Sequence, residues 1–313
     1  MRIMFMGTPD FAIPCLEALN DRFDLCAVVT QPDKPKGRGY AIVPPPVKVF
    51  ATDRGIPCYQ PSTLKNGAFL ETLEEISPDV IVVVAYGKIL PDYVLDFPKF
   101  GCVNVHGSLL PEYRGAAPMQ RAIIDGKKQT GITTMYMASG LDTGDMLEKA
   151  YIEITEEDDF ESVHDKLADL GAKLIISTLE KLTDGSLVPE KQDERLATYA
   201  AKIEKEDCVL SFDRSVDSVH DRIRGLSPIP LAFSYLNGRM IKFIKSRIVS
   251  RGDPSTAPGT VVSLSNGAIS IACADGIIAV CDVLPEGKSR MSSAAFINGR
   301  QIDVGDVFKG AKL

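Results

Sequence analysis

Short apolar segments bounded by turn residues recur through the first half of the chain. Residues 2–6 and 25–29 flank a stretch, 9–20, whose apolar residues recur at helical spacing, which predicts a strand-helix-strand unit. Residues 80–85, Val-Ile-Val-Val-Val-Ala, have no polar face, and this is typical of a parallel strand covered on both sides. Residues 101–105 predict another strand of the same kind.

Three further stretches have apolar residues at helical spacing and predict the layers that cover this sheet: 66–76, 116–125 and 160–183. We therefore expect residues 1–188 to form an α/β domain with a doubly wound, mainly parallel, Rossmann-like sheet. The first turn, residues 7–11, lacks the Gly-x-Gly-x-x-Gly spacing that lets a backbone approach a pyrophosphate, which argues against a dinucleotide site.

The pattern changes in the last third of the chain. Short strand-like runs are predicted there at regular spacing: 232–236, 240–249, 259–263, 268–273 and 276–284. Two of the intervening turns are Asn-Gly pairs, at 237–238 and 266–267, which favour hairpins. We expect a linker with some helix at 189–206, followed by a small, OB-like, all-β barrel domain at 207–313.

The composition is that of an ordinary globular protein. The chain has 313 residues, 45% hydrophobic and 25% charged, which suggests two domains. The first residues show no basic flank, long apolar stretch and cleavage site, so we expect a cytoplasmic protein with no membrane partner. The seven cysteines lack Cys-x-x-Cys spacing and the three histidines lie far apart, which argues against a disulfide framework and a metal site.

The net charge of −7 at first argues against a nucleic-acid partner. Its distribution is uneven, because residues 206–313 carry 13 Lys and Arg against 11 Asp and Glu, and the excess of acid lies before them. The predicted strand within 239–251 has five basic residues and no acidic one. This pattern fits a phosphate-binding surface and equally a solvated strand face.

Candidate chemistry lies where the strand at 101–105 ends. Asn104 and His106 project to the same side, since strand side chains alternate, and a polar loop follows. The acidic, Gly-flanked turn at 140–145 offers Asp142 as a carboxylate partner for the histidine. The alternatives are a hydrogen-bonded core histidine and an Asp that merely caps its turn.

These motifs resemble the methionyl-tRNA formyltransferase family along nearly the whole chain. The superfamily's shared Asn, His and Asp fall on Asn104, His106 and Asp142, within Asn-Val-His-Gly-Ser-Leu-Leu-Pro and Leu-Asp-Thr-Gly-Asp. More family-specific segments are also present: 31–39 (Gln-Pro-Asp-Lys-Pro-Lys-Gly-Arg-Gly), 114–123, 199–207 and 296–300.

The chain departs from the family pattern in four places. Family members usually have Trp where this Trp-free chain has Tyr113, Phe212 and the segment 227–230, Ser-Pro-Ile-Pro. Tyr40-Ala41 stands where the family commonly has more Lys, which weakens the expected electrostatic grip on RNA.

The resemblance implies transfer of a formyl group from 10-formyltetrahydrofolate, a cosubstrate, to the α-amine of methionyl initiator tRNA in translation initiation. Attack by the amine generates a tetrahedral species with a negative oxygen, to which Asn104 and a protonated His106 would donate hydrogen bonds. Asp142 would favour the imidazolium and take the proton that the amine sheds.

The resemblance also implies two binding surfaces and a protein that acts as a monomer. The residues expected to border the folate are Ser108, Leu109, Leu110, Pro111, Ala85, Tyr86 and Gly87, although Gly87 could simply end a strand. The basic residues expected to contact tRNA are Lys34, Lys36, Arg38, Lys202, Lys205, Lys242, Lys245 and Arg247.

Three other functions are considered. A formyltransferase with the same core could act on a small amine such as a sugar nucleotide or glycinamide ribonucleotide, but the second domain and the basic segment at 34–38 argue against this. A non-catalytic RNA-binding module would not need all three core polar residues. An NAD-dependent oxidoreductase is disfavoured by the first turn.

Overall fold

The computed structural model describes residues 1–36 and 41–310, together with the side chains of all of these except 36 and 41. The helices in chain order are α1 Ile13–Arg22, α2 Pro46–Asp53, α3 Leu70–Ile76, α4 Asp92–Leu95, α5 Pro118–Ile124, α6 Phe160–Asp184, α7 Val216–Gly225 and α8 Ser293–Asn298. Short 3-10 helices cover Asp10–Ala12, Lys65–Gly67, Glu194–Leu196 and Glu206–Cys208.

The strands in chain order are β1 Arg2–Gly7, β2 Asp24–Val29, β3 Lys34–Lys36, β4 Ala41–Val43, β5 Cys58–Tyr59, β6 Val80–Val84, β7 Cys102–His106, β8 Arg114–Gly115, β9 Gln129–Tyr136, β10 Met146–Glu153, β11 Tyr199–Ala200, β12 Ala232–Leu236, β13 Arg239–Arg251, β14 Val261–Ser265, β15 Ala268–Ala272, β16 Gly276–Pro285 and β17 Met291–Ser292.

The chain folds into two compact units that are not continuous in sequence. The first contains Met1–Gly115, Thr130–Ile152 and His164–Tyr199, and the second contains Ala116–Gln129, Glu153–Val163 and Ala200–Leu313. The predicted division, with the first domain ending at residue 188, differs from this grouping. Residues 116–129 and 153–163 belong with the second unit, and residues 189–199 of the predicted linker belong with the first.

A seven-stranded sheet forms the centre of the first unit, in the order β10-β9-β7-β6-β1-β2-β5. The five strands from β7 to β5 run parallel, and β9 runs antiparallel to β7. Every residue of β6 is buried, as its uniformly apolar sequence predicts. The structure thus confirms the predicted mainly parallel, Rossmann-like sheet.

The two faces of this sheet have different covers. Met4, Met6 and Cys102 share a buried cluster with residues of α3 and α4. On the opposite face, Gly171 of α6 lies close to Val105 of β7, where a Cβ would meet the Val105 side chain at 3.0 Å. Because side chains alternate along β7, Asn104 and His106 share the face of Cys102.

The second unit is built on antiparallel strands in the order β12-β13-β16-β15-β14, with β17 beside β16. Both predicted Asn-Gly turns are present, and all four of their residues have positive φ, which Asn and Gly tolerate best. Residues 306–308 bond to Gly259 and Val261 beside one edge of the sheet, and Lys309 bonds to Tyr235 on the other edge. This segment closes the sheet and confirms the predicted small β-barrel.

Helix α5 was expected to cover the first sheet, but it packs on α7 within the second unit. A Cβ on Gly225 of α7 would approach Ile124 at 2.8 Å, so the two helices meet closely at this glycine. The sequence pattern shows that α5 has an apolar face, but it does not show which partner buries that face.

Phe212, which stands where the family usually has Trp, lies in the core of the second unit. Its ring centroid is 5.8 Å from those of both Phe243 and Phe308, which are 5.5 Å from each other. The aromatic exchange therefore retains a buried ring at this position.

Candidate active site

Asn104 and His106 lie at the carboxyl end of β7, in the middle of the sheet. Asn104 faces Val83 on β6 and Met135 on β9 in the strand register. Its side chain is buried, yet within the described part of the chain it forms no hydrogen bond with another residue. The amide is therefore available to a ligand oxygen.

The hydrogen bonding of His106 fixes which ring nitrogen carries a proton. Nε2 lies 3.0 Å from the carbonyl oxygen of Tyr113. Because a carbonyl oxygen only accepts, Nε2 donates, and in the neutral ring Nδ1 is the nitrogen without a hydrogen. Nδ1 is therefore the nitrogen that can exchange a proton.

The structure brings Asp142 to that nitrogen. Asp142 Oδ2 lies 3.7 Å from His106 Nδ1, and both side chains are largely buried. This distance is too long for a direct hydrogen bond, but it is short enough for one substrate atom or water to bond to both groups. The structure therefore brings the imidazole and the carboxylate together, at the end of the strand that also carries Asn104.

The turn that carries Asp142 needs special backbone geometry. Asp142 itself has a φ of 50°, in the left-handed region that Asp tolerates better than most residues. A Cβ at Gly144 would overlap the carbonyl oxygen of Tyr136, so only glycine fits there. The carboxylate also accepts a hydrogen bond from the backbone N–H of Gly115, at 2.8 Å.

Thr133 of β9 holds the loop that follows β7. Its buried hydroxyl donates to the carbonyl of Ser108 at 2.7 Å and accepts from the N–H of Leu110 at 3.1 Å. The Ser108 hydroxyl donates to the carbonyl of Glu112 at 2.7 Å. The loop therefore has a fixed shape before any ligand is present.

The residues predicted to border folate differ in what they expose. The side chains of Ser108, Leu110 and Tyr86 are buried, and burial raises the pKa of Tyr86 to about 12. The half-buried Leu109 and Pro111 and the exposed Ala85 and Gly87 present accessible surface.

Three neighbouring strands are tied together beside this turn. The Tyr86 carbonyl accepts hydrogen bonds from the Thr8 hydroxyl at 3.0 Å, after β1, and from the Gln31 amide at 3.1 Å, after β2. These two polar residues are not among the predicted site residues, although both follow predicted strands, where ligands bind in open α/β sheets.

The basic residues predicted to contact tRNA lie in several places. Lys34 is exposed on β3, which pairs with β4 as a hairpin. Lys36 ends β3, and the side chain of Lys36 and the whole of Arg38 lie outside the described residues. In the second unit Lys202 and Lys205 are exposed, and Lys202 forms an ion pair with Glu204 at 3.4 Å.

A β-bulge decides where the basic side chains of β13 point. Phe243 and Ile244 are consecutive and both buried, and the register with β16 shifts at this position. The shift returns Lys245 and Arg247 to the more exposed face that also carries Lys242. Arg251 is instead paired with Asp217 at 2.8 Å.

Among residues 1–36 and 41–310, no group of three or more His, Cys, Asp or Glu side chains is arranged to hold a metal ion. In the same part of the chain, no helix has the length and apolar character needed to cross a membrane. The seven cysteine thiols are free, and burial raises the pKa of Cys15, Cys102 and Cys273 to about 12.

Comparison with known proteins identifies close relatives. A family model described as formyl transferase matches residues 1–179, and one described as formyl transferase, C-terminal domain, matches residues 202–301. A methionyl-tRNA formyltransferase from Citrifermentans bemidjiense is 45% identical over 306 residues, which cover 97% of this chain and 95% of that protein. One from Pelobacter propionicus is 46% identical over 310 residues, covering 99% and 96%.

Solved structures resemble the fold at lower sequence identity. An N-formyltransferase from Helicobacter canadensis, in complex with folinic acid and dTDP-3-aminofucose, matches with a TM-score of 0.68 at 18% identity, covering 89% of this chain and 98% of that one. A methionyl-tRNA formyltransferase from Clostridium thermocellum matches with a TM-score of 0.54 at 21% identity, covering 79% and 93%. At these identities the likeness is one of fold.

Proposed function

The chain belongs to the methionyl-tRNA formyltransferases, and from this we propose that it transfers the formyl group of 10-formyltetrahydrofolate to the α-amino group of methionyl initiator tRNA. Its membership confirms the family and the enzyme class predicted from the sequence. The observation that carries the proposed chemistry is the 3.7 Å separation of His106 Nδ1 and Asp142 Oδ2 beside the unpaired amide of Asn104.

In this mechanism the three side chains act on one reacting carbon. The neutral α-amine of the methionyl group attacks the formyl carbon, and the formyl oxygen becomes negatively charged. Asn104 donates an amide N–H to that oxygen, and His106, protonated at Nδ1, adds a charge-assisted hydrogen bond. These donors stabilise the tetrahedral species more than the ground state, which is what accelerates the reaction.

Asp142 serves the proton transfer. Its carboxylate attracts a positive charge on the imidazole at Nδ1, while Tyr113 retains the proton on Nε2. The attacking nitrogen becomes positive and must lose a proton before the nitrogen of the folate leaves. Asp142 accepts that proton directly or through a water, and the departing folate nitrogen receives one from His106.

The folate donor would bind where the loop after β7 meets the turn after β6. Leu109 and Pro111 offer apolar surface to a flat pterin, and the backbone around Ala85 and Gly87 offers hydrogen-bonding groups. We place this site at the carboxyl end of the parallel strands because ligands of open α/β sheets bind there.

The tRNA would be held by basic groups on both units. Lys34, the side chain of Lys36 and Arg38 belong to the segment around the β3-β4 hairpin, and Lys202, Lys205, Lys242, Lys245 and Arg247 belong to the second unit. Lysine and arginine side chains bind phosphates through salt-dependent contacts, and the acidic remainder of the chain limits non-specific binding. We further propose that the enzyme acts as a monomer in the cytoplasm, where methionine is attached to the initiator tRNA.

A competition experiment tests the substrate. The enzyme is incubated with labelled formyl donor and an equimolar mixture of methionyl initiator tRNA, a dTDP-amino sugar and glycinamide ribonucleotide. We expect the label in formyl-methionine released from tRNA. Label in either small amine, with none in the tRNA, would overturn the proposal in favour of a small-molecule formyltransferase.

A further inference from the structure

Two residues of the first unit, on either side of Arg114, contact the two proton-transferring groups of the site. The Tyr113 carbonyl accepts from His106 Nε2 at 3.0 Å, and the Gly115 N–H donates to Asp142 Oδ2 at 2.8 Å. Arg114, between them, is fully buried and points its guanidinium away from the two catalytic side chains, toward the segment 190–198. We call this segment the strap.

Arg114 holds two side chains of the strap. Its Nε and Nη2 donate to Gln192 Oε1 at 3.0 and 2.8 Å, and its Nη1 and Nη2 donate to the two carboxylate oxygens of Glu194 at 2.9 and 2.8 Å. Two donors on one oxygen settle the orientation of the Gln192 amide. Oε1 faces the guanidinium, and Nε2 faces the other way.

The other end of Gln192 reaches the turn that carries Asp142. Nε2 donates to the backbone carbonyls of Asp142 at 2.8 Å and of Gly144 at 2.7 Å. Both hydrogens of the amide are therefore donated to the same turn, to the carbonyls on either side of Thr143. With the Gly115 contact, the turn is held at its backbone and at the Asp142 carboxylate.

The strap is also attached to the loop after β7. Thr198 accepts from the Tyr113 N–H at its hydroxyl, at 2.8 Å, and from the Arg114 N–H at its carbonyl, at 2.9 Å. At its other end Glu190 exchanges two backbone hydrogen bonds of 2.8 Å with Met146, just after the Asp142 turn. The strap therefore bonds to both loops that carry the catalytic groups.

From this arrangement we infer that Arg114 and Gln192 are positioning residues, which hold the Asp142 carboxylate at the distance from His106 that the reaction requires. The ion pair of Arg114 with Glu194 contributes little stability, because the Glu194 side chain is mostly exposed and solvent screens the attraction. The fixed fork of the guanidinium does orient a planar amide well. A displacement of about 1 Å in a reacting group can lower the rate about 100-fold.

Gln192→Glu keeps the contact of this side chain with Arg114 and removes its contacts with the Asp142 turn. The carboxylate still accepts from Arg114, but its second oxygen replaces Nε2 and faces the carbonyls of Asp142 and Gly144, so both turn contacts are lost. We expect kcat to fall about 100-fold while the KM for the folate donor stays unchanged. Gln192→Met, which loses both contacts, should lower kcat at least as much, and the exposed Gln129→Glu is the charge-matched control.

The activity measurement rests on the proposed function. A second measurement, which does not depend on that function, is therefore made as well. A crystal structure of Gln192→Glu should show Asp142 Oδ2 farther than 3.7 Å from His106 Nδ1. Urea unfolding shows whether the variant is folded. An unchanged distance, or wild-type kcat in the folded variant, would overturn the positioning role. Failure of the wild-type enzyme to formylate methionyl-tRNA would refute the proposed function, and the distance would then decide the inference.

Discussion

Asn104 has a buried side chain at the end of a central strand, and within the described residues its amide forms no hydrogen bond with the protein. In the proposed mechanism the formyl oxygen accepts from this amide, and it accepts most strongly when it carries negative charge. The amide then stabilises the transition state more than the ground state.

Asn104→Ala is predicted to lower kcat by about 100- to 1000-fold, or roughly 2.7–4 kcal/mol, the usual loss for one donor to an oxyanion. Folate affinity should change little, because the ground-state carbonyl is a weaker acceptor. Steady-state formylation and equilibrium folate binding measure the two quantities, with the exposed Asn298→Ala as control. A rise in KM without a fall in kcat would show that Asn104 only binds substrate.

Asp142 shows how much of the site could be predicted from the sequence. Its acidic, Gly-flanked turn suggested a carboxylate partner for His106, and the family resemblance implied the same pairing. The groups that hold it were not predictable in the same way. The Gly115 N–H is common to any residue, and Gln192 lies 50 residues away in a stretch that has the composition of a linker. Hydrogen bonds from a backbone or to one leave no pattern in the sequence.

At the scale of elements, the periodicity of apolar residues predicted buried strands such as β6, but it did not predict strand β9 or helix α7. Strand β6 is apolar on both faces and was found from its sequence, whereas β9 contains the adjacent Thr133 and Thr134, whose hydroxyls bond inside the fold. Helix α7 was missed because its buried face includes His220, Asp221 and Arg224, which read as polar. Asp221 and Arg224 are paired with each other, and His220 bonds to the Ser246 hydroxyl and to backbone, which a sequence pattern does not reveal.

The basic face of β13 makes a prediction about salt. Replacing both Lys245 and Arg247 by Ala should weaken tRNA binding and reduce the slope of log K against log salt concentration by about 2, one for each phosphate contact. Binding titrations at several salt concentrations measure this slope. Lys173→Ala, which removes one exposed positive charge from α6, should leave it unaltered. An unchanged slope in the double variant would mean that this face is only solvated.

His220 on helix α7 is predicted to make the stability of the protein depend on pH. Burial lowers the pKa of His220, whose Nε2 donates to the Glu156 carbonyl at 3.1 Å while Nδ1 accepts from the Ser246 hydroxyl at 2.9 Å. Because the unfolded histidine binds a proton more readily than the folded one, this residue's contribution is complete above pH about 6.5 and declines as the pH falls below it.

Urea unfolding of the full chain at pH 7.5 and 5.5 checks this sign. Wild type should lose more free energy of unfolding between these values than His220→Gln, which keeps a donor toward Glu156 and has no group that titrates. An equal loss in both proteins would show that other groups cause the acid sensitivity.

At the scale of the whole molecule, each of the two compact units combines segments that are not adjacent in the sequence. Segments from three parts of the sequence form the first unit, and the strap, which the linear division assigns to a linker, belongs with the loop after β7 and the Asp142 turn. The second unit likewise recruits residues 116–129 and 153–163. The acidic net charge of the whole chain conceals the basic side chains of β13, so net charge alone does not exclude an RNA partner.

The central claim is that Asn104, His106 and Asp142 act together on one formyl carbon. Its most direct test is a single-turnover measurement of formyl transfer to methionyl initiator tRNA by wild type and His106→Ala, with folate binding measured in parallel. We predict formyl-methionine from the wild type, loss of transfer in the folded variant, and nearly equal folate affinity in both. Transfer by folded His106→Ala at the wild-type rate would contradict the account.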